Sequence, residues 1–529
     1  MNTPETTVQP SEHTNAPAKP GSGNSRNVKD WIVALSMANW VFIRVWSNLL
    51  SGKGRFFSKL PVVRAELLAL AACIIGMASL IWLGIGLWRR TSHRWMLSIA
   101  FLALLIFPVD YIRWELSLSG REVLVFAKNP AGMFCLLMIA GLAVWKLTHV
   151  ARGLAVVAGI TFPLALLNIA KIVFLSLNVI RPNDCECSSV APPVFPVRQG
   201  QPRLVWTIFD ETDYRLAFEQ RPPNIKLAEF DRLQKESLSS VKAYPPGYET
   251  SLSMPALIAG RRFSSGQVVG CDLKLQTDDT GATVDWSASP SVFSRARGMG
   301  FNTGLVGWYL PYDRILGKDL NYCSWYSNPT LDPASSANFF ESIGQQLGSL
   351  GGIFHARQLF IDACKGSLKD GLSAIANTNL SLVLLHLPPP HDPSVYLPAR
   401  NEFSVTIPPT AASYFNNLAL ADHELGELRR SIETSKDGDN TWLIFSADHS
   451  WRKSKQYDGR RDYRVPFLIK APHNGAPITY SRQINTLITG DLILAILSGE
   501  ITNQSGVATW LDGHGKPDLP ILKTGESVE

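Results

Sequence analysis

The sequence lacks any long run of basic residues, and its formal net charge of +6 over 529 residues is modest. Proteins that bind nucleic acid usually concentrate Lys and Arg in one patch or stripe. Much of the basic excess here lies beside apolar segments, where membrane topology explains it. We therefore expect no nucleic-acid partner.

An apolar stretch is also missing near Met1, where a cleavable signal peptide would have one. Residues 1–30 are rich in Thr, Pro, Ser, Asn and Gly. Such a composition offers too little apolar surface to offset the entropy lost on folding. We expect a disordered tail over residues 1–30.

Cysteine is scarce, with seven residues in the chain. Cys73 and Cys135 fall in apolar segments, and the remaining five are an odd number, so at least one thiol is left over or pairs with another chain. Cys185 and Cys187 form a lone C-x-C that has no second pair to complete a thiolate metal site. A metal pair at these two residues is the less favoured alternative.

Long apolar segments fill residues 31–180. A helix needs about 20 apolar residues to cross a bilayer. Five segments meet or approach that length: Trp31–Leu50, Leu67–Trp88, Trp95–Val109, Pro130–Trp145 and Gly153–Ala170. The first contains Arg44 and could lie in the membrane interface instead of spanning. We predict a transmembrane domain of about five helices over residues 31–180 and a linker over residues 181–200.

Basic residues in the short loops predict the orientation of these helices. Arg89, Arg90 and Arg94 lie in one loop, and Lys146 and Arg152 lie in another loop two spans later. Loops rich in Lys and Arg remain in the cytoplasm. We therefore expect a multi-pass membrane protein whose residues 201–529 lie outside the cytoplasm.

Short apolar runs alternate with helical patterns in the second half of the chain. The runs are Leu204–Phe209, Leu382–Leu387, Trp442–Phe445 and Val465–Ile469, and the clearest helical pattern is Tyr414–Ile432. This alternation favours an α/β sandwich domain with a mostly parallel sheet. In such sheets, ligands bind beyond the carboxyl ends of the strands. We predict this domain over residues 201–529.

Acidic residues and a histidine follow two of these runs. Asp210 and Glu211 follow the first run, and Asp448 and His449 follow the third. Carboxylates and imidazole suit a divalent cation. For the first pair, a solvated loop or a helix N-cap is the alternative interpretation.

Two further segments point to phosphoryl chemistry. In YPPGYETSLSMPALIAGR, Thr250 stands near the start of an apolar helix. Free backbone N–H groups and the helix dipole at that position favour an alkoxide and an anionic phosphoryl group, although a plain N-cap is the alternative. In LLHLPPPHDPSVY, a rigid Pro-rich loop can present His391 to a substrate anion, and His386 is the candidate for a structural histidine.

Together these segments, in this order, resemble the alkaline-phosphatase/sulfatase superfamily from about Leu204 to about Pro472. Residues 412–450 look like its helix–strand–Asp-His element almost throughout. Thr250-Ser-Leu-Ser-Met-Pro255 is similar to the T-x-x-S-x-P motif of bacterial membrane phosphoethanolamine transferases. Lipoteichoic-acid-synthase-like phosphoglycerol transferases share the membrane plan and the Thr nucleophile.

The resemblance implies roles for the candidate residues. Thr250 would be the nucleophile and, with Glu211, Asp448 and His449, a ligand of one divalent ion, Zn²⁺ or Mn²⁺. A second ion is left open, because the His-Gly-rich segment that follows Asp-His in those transferases is not evident here. Asp210 would be a ligand or support one, and His391, with His386 as the alternative, would contact the substrate phosphate.

The resemblance implies a location in the bacterial inner membrane, with residues 201–529 in the periplasm. The implied activity is transfer of a phospholipid-derived head group, phosphoethanolamine or phosphoglycerol. The donor would be a membrane lipid, the acceptor an envelope glycan or lipid, and the intermediate a phospho-threonine. Hydrolysis of extracytoplasmic esters, as in sulfatases or phosphodiesterases, uses the same residues with water as the acceptor. The C-x-P-S-R motif of true sulfatases is replaced around Thr250, and their G-K-W-H segment is replaced by Gly307-Trp308-Tyr309-Leu310. A non-catalytic membrane scaffold is the third alternative.

The predicted topology can be tested with fusions after Glu529. Because residues 201–529 are expected outside the cytoplasm, a periplasm-specific reporter such as alkaline phosphatase should be active there. A cytoplasm-specific reporter at the same position should be inactive. The opposite pattern would contradict both the orientation and an envelope substrate.

Overall fold

The structure is a computed structural model that describes residues 22–50, 56–59, 64–92, 94–116, 126–178, 191–328, 338–473 and 475–522. Most of the expected tail, part of the expected linker, Cys185 and Cys187 lie outside these residues. Residues 22–178 contain helices, which we call the helical half. Residues 191–522 form an α/β half.

The described residues of the helical half include seven helices of eight or more residues. They are α1 Ser22–Val41, α2 Ile43–Leu50, α3 Arg64–Arg90, α4 Arg94–Ala103, α5 Ile106–Glu115, α6 Pro130–Trp145 and α7 Leu147–Asn178. Helix α1 begins at Ser22, so the expected tail is shorter than predicted. Its polar first turns are held in part by Asp30, whose carboxylate pairs with Arg89.

Three segments are long and apolar enough to cross a membrane: Arg64–Arg90, Arg94–Arg113 and Leu147–Leu177. A fourth is possible if Arg26–Val41 and Ile43–Leu50, which meet at a bend of 69°, form one broken span. The predicted count of five is therefore reduced among the described residues. The difference is the helix Pro130–Trp145, which has 16 residues and is only about 24 Å long at 1.5 Å per residue.

Contacts between helix ends define two sides of the helical half. Asp30 and Arg89 meet at one side. At the other, the Arg64 guanidinium donates to the carbonyl of Ser176 (2.8 Å), and the Lys171 ammonium donates to the carbonyl of Leu50 (3.1 Å). The chain leaves α7 at this second side and continues into the α/β half.

The α/β half is built on an eight-stranded sheet in the order β14-β2-β13-β12-β1-β9-β7-β8. Its strands are β1 Arg203–Phe209, β2 Leu238–Ser240, β7 Thr303–Trp308, β8 Tyr322–Tyr326, β9 Leu382–Leu387, β12 Thr441–Ser446, β13 Phe467–Lys470 and β14 Ile478–Tyr480. Strands β12, β1, β9, β7 and β8 run parallel, and β13 is antiparallel to both of its neighbours. The predicted mostly parallel sheet is confirmed.

Smaller sheets complete the strand set. A three-stranded antiparallel sheet contains β4 Phe263–Val269, β5 Asp272–Thr277 and β6 Thr283–Asp285. Two two-stranded sheets pair β3 Ala243–Tyr244 with β15 Ile484–Asn485 and β10 Tyr396–Leu397 with β11 Glu402–Phe403.

The described residues of the α/β half form ten α-helices. They are α8 Ala228–Glu236, α9 Thr250–Ala259, α10 Val292–Gly298, α11 Tyr312–Leu316, α12 Phe339–Ser349, α13 Ile353–Ala376, α14 Tyr414–Glu433, α15 Ser454–Asp458, α16 Thr489–Leu497 and α17 Gln504–His514. Alternate residues of a strand point to opposite faces. In β1, Leu204, Trp206 and Ile208 join one hydrophobic core, and Val205 and Phe209 join the other. This burial on both faces explains why the strands are continuous apolar runs.

The two halves contact each other through residues that follow α2. Phe56 and Phe57 are buried in the core of the α/β half. The ring of Phe57 lies 5.0 Å from the ring of Tyr309, which follows β7. The guanidinium of Arg314 donates to the carbonyl of Phe56 (3.2 Å). The helical half therefore touches the α/β half at the edge where β7 ends.

The α/β half contains both a disulfide-bonded cysteine, Cys271, and a buried free thiol, Cys364. Disulfides persist in oxidising compartments outside the cytoplasm. The bond at Cys271 agrees with the expected location, and Cys364 is the kind of leftover thiol that the odd count predicts.

Arg203, the first residue of β1, is 3% exposed and holds the end of α13. Its guanidinium donates to the carbonyls of Leu380 (3.0 Å), Ala374 (3.3 Å) and Asn377 (3.3 Å). The last carbonyls of a helix have no partner within the helix. Because charged hydrogen bonds to buried groups are costly to lose, Arg203→Ala should lower the free energy of unfolding by about 3 kcal/mol.

Thermal unfolding of the full chain in detergent measures this loss, with Arg198→Ala as the control. Arg198 is exposed and lies five residues earlier, so its removal should leave Tm unchanged. Equal Tm values for Arg203→Ala and the unchanged protein would contradict the role given to Arg203.

Candidate active site

The candidate site residues lie at the carboxyl-end edge of the sheet. Asp210 and Glu211 follow β1 directly, and Asp448 and His449 follow β12. Strands β1 and β12 are parallel neighbours in the register Ile208↔Ser446, so their carboxyl ends bring both pairs together. Thr250 joins them as the first residue of α9.

The hydroxyl of Thr250 is fixed by Asp448. Thr250 Oγ1 donates to Asp448 Oδ2 at 2.8 Å. Three residues further along α9, Ser253 Oγ donates to the backbone carbonyl of Asp448 at 2.5 Å. Helix α9 is therefore attached at two points to Asp448, two residues after the end of β12, and the Thr250 oxygen stays at the helix N-terminus.

The tautomer of His449 follows from its backbone contact. Its Nδ1 lies 3.1 Å from the carbonyl oxygen of Ser450, and a carbonyl only accepts, so Nδ1 carries the hydrogen in the neutral ring. The other nitrogen, Nε2, then has a lone pair. It lies 3.3 Å from Thr250 Oγ1, 3.4 Å from Asp448 Oδ2 and 3.7 Å from Asp210 Oδ1.

Asp210 supplies a carboxylate oxygen that has no hydrogen-bond partner among the described residues. Its Oδ2 accepts from Trp308 Nε1 at 2.8 Å, and its buried Oδ1 accepts nothing. Burial, reinforced by the charges of Asp448 and Glu211, raises the pKa of Asp210 well above its usual range. Such an oxygen is stable as a carboxylate where a cation lies beside it.

Asp210, Asp448 and His449 therefore fit a divalent metal ion. One ligand atom from each lies within 4.8 Å of the others. Two carboxylate oxygens and one imidazole lone pair form a donor set that suits Zn²⁺ or Mn²⁺. The hydroxyl of Thr250 lies beside this set. The structure brings together four of the seven candidate residues.

Glu211, which the resemblance predicts to be a metal ligand, lies outside the group of converging ligand atoms. Its carboxylate pairs with Arg452 at 2.5 Å, and it is not in the ligand group of Asp210, Asp448 and His449. Burial, the largest single influence, raises the pKa of Glu211, but Arg452, His391 and His449 together lower it below its usual range. Glu211 as a ligand stays a prediction.

The backbone at Glu211 turns sharply at the end of β1. Its φ of 65° is left-handed, which is rare for a residue other than glycine and is found most often at functional sites. The hydroxyl of Tyr414 supports the turn by donating to the Glu211 carbonyl (2.9 Å) and accepting from the N–H of Asp213 (3.0 Å). The amide N–H of Glu211 in turn donates to Asp448 Oδ1 (3.2 Å).

His391 is held with one nitrogen toward Arg452. Its Nδ1 lies 2.5 Å from the carbonyl oxygen of Asp392, so Nδ1 carries the hydrogen and Nε2 accepts from Arg452 Nη2 at 3.2 Å. Burial lowers the pKa of His391, and the ring is therefore neutral near pH 7. The carbonyl of His391 accepts from Asn417 Nδ2 at 2.8 Å, which ties the Pro-rich loop to α14.

His386 lies inside β9 and is fully buried. Its Nδ1 lies 2.8 Å from the hydroxyl of Tyr312, and its Nε2 has no hydrogen-bond partner among the described residues. Burial lowers the pKa of His386 to about 4. A neutral ring in a strand, held by one tyrosine, agrees with the structural role expected for it.

Arg452 and Trp308 also belong to the site, although the sequence patterns did not predict them. Arg452 stands four residues after Asp448 and reaches back to both Glu211 and His391. Trp308 was noted only as a departure from a sulfatase motif, yet its indole binds Asp210. Its neighbour Tyr309 has a φ of 72°. The Gly-Trp-Tyr segment after an apolar run was the available signal.

We expect the purified full chain to contain about one equivalent of Zn or Mn, because Asp210, Asp448 and His449 converge. The combined changes Asp448→Ala and His449→Ala should remove that metal. Elemental analysis by plasma mass spectrometry measures it.

The matched control combines Asp491→Ala with His514→Ala, which removes the same two residue types from exposed positions. This control should retain the metal. Metal content that is unchanged in the Asp448→Ala and His449→Ala variant would rule out the site.

Solved structures that resemble the chain include Ps i-CgsB in complex with k-i-k-neocarrahexaose, at 16% identity over 60% of this chain and 75% of that chain with a TM-score of 0.43. A second is a protein in the alkaline phosphatase superfamily from Vibrio parahaemolyticus, at 14% identity over 59% of this chain and 71% of that chain with a TM-score of 0.37. A third is the phosphonate monoester hydrolase of Agrobacterium radiobacter, at 14% identity over 56% of this chain and 74% of that chain with a TM-score of 0.36. At these TM-scores nothing about substrate follows. No curated protein matches the chain.

A model of the sulfatase family matches residues 205–498, which is more than half of the chain. The matched range includes β1, α9, β9 and β12, and therefore every candidate site residue. The metal-ion chemistry of this superfamily suits the Asp-Asp-His group. The chain belongs to the sulfatase family.

Proposed function

We propose that this protein is a metal-dependent membrane phosphotransferase. It would move a phosphoethanolamine or phosphoglycerol group from a phospholipid to an envelope glycan or lipid through a phospho-threonine at Thr250. The observation that supports this most is the Thr250 hydroxyl. It lies at a helix start, 2.8 Å from Asp448 and 3.3 Å from His449 Nε2.

Thr250 is oriented for attack by its hydrogen bond. The hydroxyl hydrogen points to Asp448 Oδ2, so the lone pairs of the oxygen remain for a new bond. In the first step, the Thr250 Oγ1–P bond forms and the P–O bond to diacylglycerol breaks. The hydroxyl proton leaves along the bond to Asp448, and the diacylglycerol oxygen takes a proton from solvent. An acceptor hydroxyl then attacks the phosphorus and loses its proton to solvent. The Oγ1–P bond breaks, and Thr250 takes back the proton that Asp448 holds.

The charges of the site suit an anionic phosphoryl group. The N-terminus of α9 presents backbone N–H groups and the positive end of a helix dipole. Arg452 is 43% exposed as a side chain and already holds Glu211, so it can also meet a phosphate oxygen. A divalent ion held by Asp210, Asp448 and His449 would lower the pKa of the attacking hydroxyl and neutralise phosphoryl charge.

The contact between the helical half and the α/β half supports access of a lipid to the site. Tyr309 follows β7 at the edge of the sheet that holds the site, and Phe57 from the helical half lies against it. The three candidate spans of the helical half would therefore place the site edge near a bilayer. Donor head groups and a lipid or glycan acceptor are found at that surface.

Hydrolysis is the second candidate, and the match to the sulfatase family favours it. The same residues would serve, with water in place of the acceptor hydroxyl. Residue 250 is Thr, whereas sulfatases use a Cys or Ser that is converted to formylglycine. Product analysis separates the two activities.

Thr250→Ala should abolish turnover because the covalent route needs the attacking oxygen. The rate should fall by roughly 10³-fold or more, with metal content and folding retained. Release of diacylglycerol from liposomes that contain the full chain measures the rate. Mass spectrometry of the peptide that contains Thr250 should show the phosphoethanolamine or phosphoglycerol adduct.

Ser251→Ala is the matched control, since this neighbouring hydroxyl contacts Glu249 and not Asp448. It should retain activity, and Thr250→Ser should retain part of it. Normal turnover by Thr250→Ala would eliminate Thr250 as the nucleophile. Cleavage of a soluble sulfate ester with no action on phospholipid would replace the transferase by a hydrolase.

A further inference from the structure

Four large apolar side chains of the α/β half are exposed on neighbouring turns of α12 and α13. They are Phe340 (79% exposed), Leu347 (46%), Ile353 (54%) and Phe354 (55%), and we call them the Phe340 face. In described residues 203–328, 338–473 and 475–522, the other exposed large hydrophobic residues are scattered singly: Val269, Met299 and Leu519. A clustered apolar surface of this kind marks an interaction site.

An adjacent strip of α12 packs against the helical half. Ile343 and Leu350 contact the hydrophobic core formed by α1 and α3. The buried side chain of Gln346 donates to the carbonyl of Glu66 at 3.1 Å. Residues three apart differ by about 60° around a helix, so Phe340 stands beside the strip of Ile343. The Phe340 face thus flanks α3 without being covered by it.

These contacts determine where the Phe340 face lies along the axis of α3, which is beside its first turn. Glu66 is in the first turn of α3, the candidate span Arg64–Arg90. Exposed apolar side chains of α3 begin at Leu68 (46%) and recur down the helix at Ile75, Leu80, Leu83 and Leu87. The Phe340 face therefore continues the apolar surface of α3 at the end where a spanning helix enters the head-group layer.

The Phe340 face also lies near the site edge of the sheet. Helix α13 connects β8 to the parallel strand β9, so it runs antiparallel to both strands and begins at their carboxyl ends. Contact of Arg203, at the start of β1, with the last turn of α13 confirms this direction. Phe354, in the first turn of α13, and Asp210, after β1, therefore belong to the same edge.

We propose that the Phe340 face inserts into the head-group region of the bilayer surface that faces the α/β half and holds the site edge at that surface. The occupant is phospholipid, because the face continues the lipid-exposed surface of a candidate span. Apolar side chains on a short helix with polar neighbours are typical of interfacial helices. The proposal goes beyond the proposed function and rests on α3 spanning the membrane.

Photocrosslinking of the full chain in vesicles of phosphatidylethanolamine and phosphatidylglycerol tests this. The photoreactive residue p-benzoylphenylalanine replaces Phe340 or Phe354, a conservative exchange of one exposed aromatic ring for another. We expect irradiation to add the mass of one phospholipid to the peptide that contains either position. The readout is an adduct, so it does not depend on phosphotransfer activity.

Two control positions make the outcome decisive. Lys369 is exposed on the same helix, about 22 Å from Phe354 at 1.5 Å per residue, and should give no lipid adduct. Leu80 in α3 should give one. Lipid at Leu80 but not at Phe340 or Phe354 would overturn the proposal while leaving the membrane helix in place.

The remaining outcomes also count against the proposal. Lipid captured at neither α3 nor α12 would remove both the membrane placement and the proposal. Capture of a second copy of the chain at Phe340, instead of lipid, would assign the face to a protein interface. Equal lipid capture at Lys369 and Phe340 would mean that no particular face meets the bilayer.

Discussion

The repulsion between buried carboxylates at the ends of β1 and β12 is the constraint on which the site depends. Asp210 and Asp448 are fully buried, with the ligand atoms of both within 4.8 Å of one atom of His449. Two negative charges in a low-dielectric interior destabilise one another unless a cation lies between them. Arg452, which lies nearby, pairs with Glu211, so the charge of the other two carboxylates is left for a metal ion.

The direction of the strands brings these carboxylates together. Parallel strands deliver their carboxyl ends to one edge, where the two acidic pairs meet. Helix α9 begins at that edge and is fastened to the Asp448 carbonyl by Ser253. The Thr250 hydroxyl is thus positioned by Asp448, the residue that would also bind the metal. The contact of Phe57 with Tyr309 joins the same edge to the helical half, so the site and the candidate membrane spans are mechanically connected.

Strands and helices could be predicted from the sequence where a single local pattern of apolar residues determines the secondary structure. Strand β9 was predicted with its exact bounds and β1 to within one residue, because burial on both faces produces an uninterrupted apolar run. Helix α14 was predicted from Tyr414 with its end one residue short. Strand β13 begins at Phe467, two residues later than expected, because the N–H of Val465 instead donates to the carbonyl of Ala243 in β3. The meeting of Asp210 and Asp448 followed from the rule for strand ends.

Contacts between distant segments could not be predicted in this way. Nothing in DHSWRK shows that Arg452 turns back to Glu211, and nothing in the pattern of β7 shows that Trp308 binds Asp210. The packing of α12 on α3 joins residues 280 positions apart, Gln346 and Glu66. The number of candidate spans among the described residues is lower than predicted because the helix Pro130–Trp145, whose bounds match the prediction, has only 16 residues.

The measurement that tests the central claim most directly is anomalous X-ray diffraction from crystals of the full chain, collected at the zinc and manganese absorption edges. The account predicts one strong peak about 2.0–2.3 Å from a carboxylate oxygen of Asp210, a carboxylate oxygen of Asp448 and Nε2 of His449, next to Thr250 Oγ1. Absence of a peak at that position in crystals of active protein would contradict the account. So would a metal bound elsewhere in the α/β half with Asp210 and Asp448 left without it.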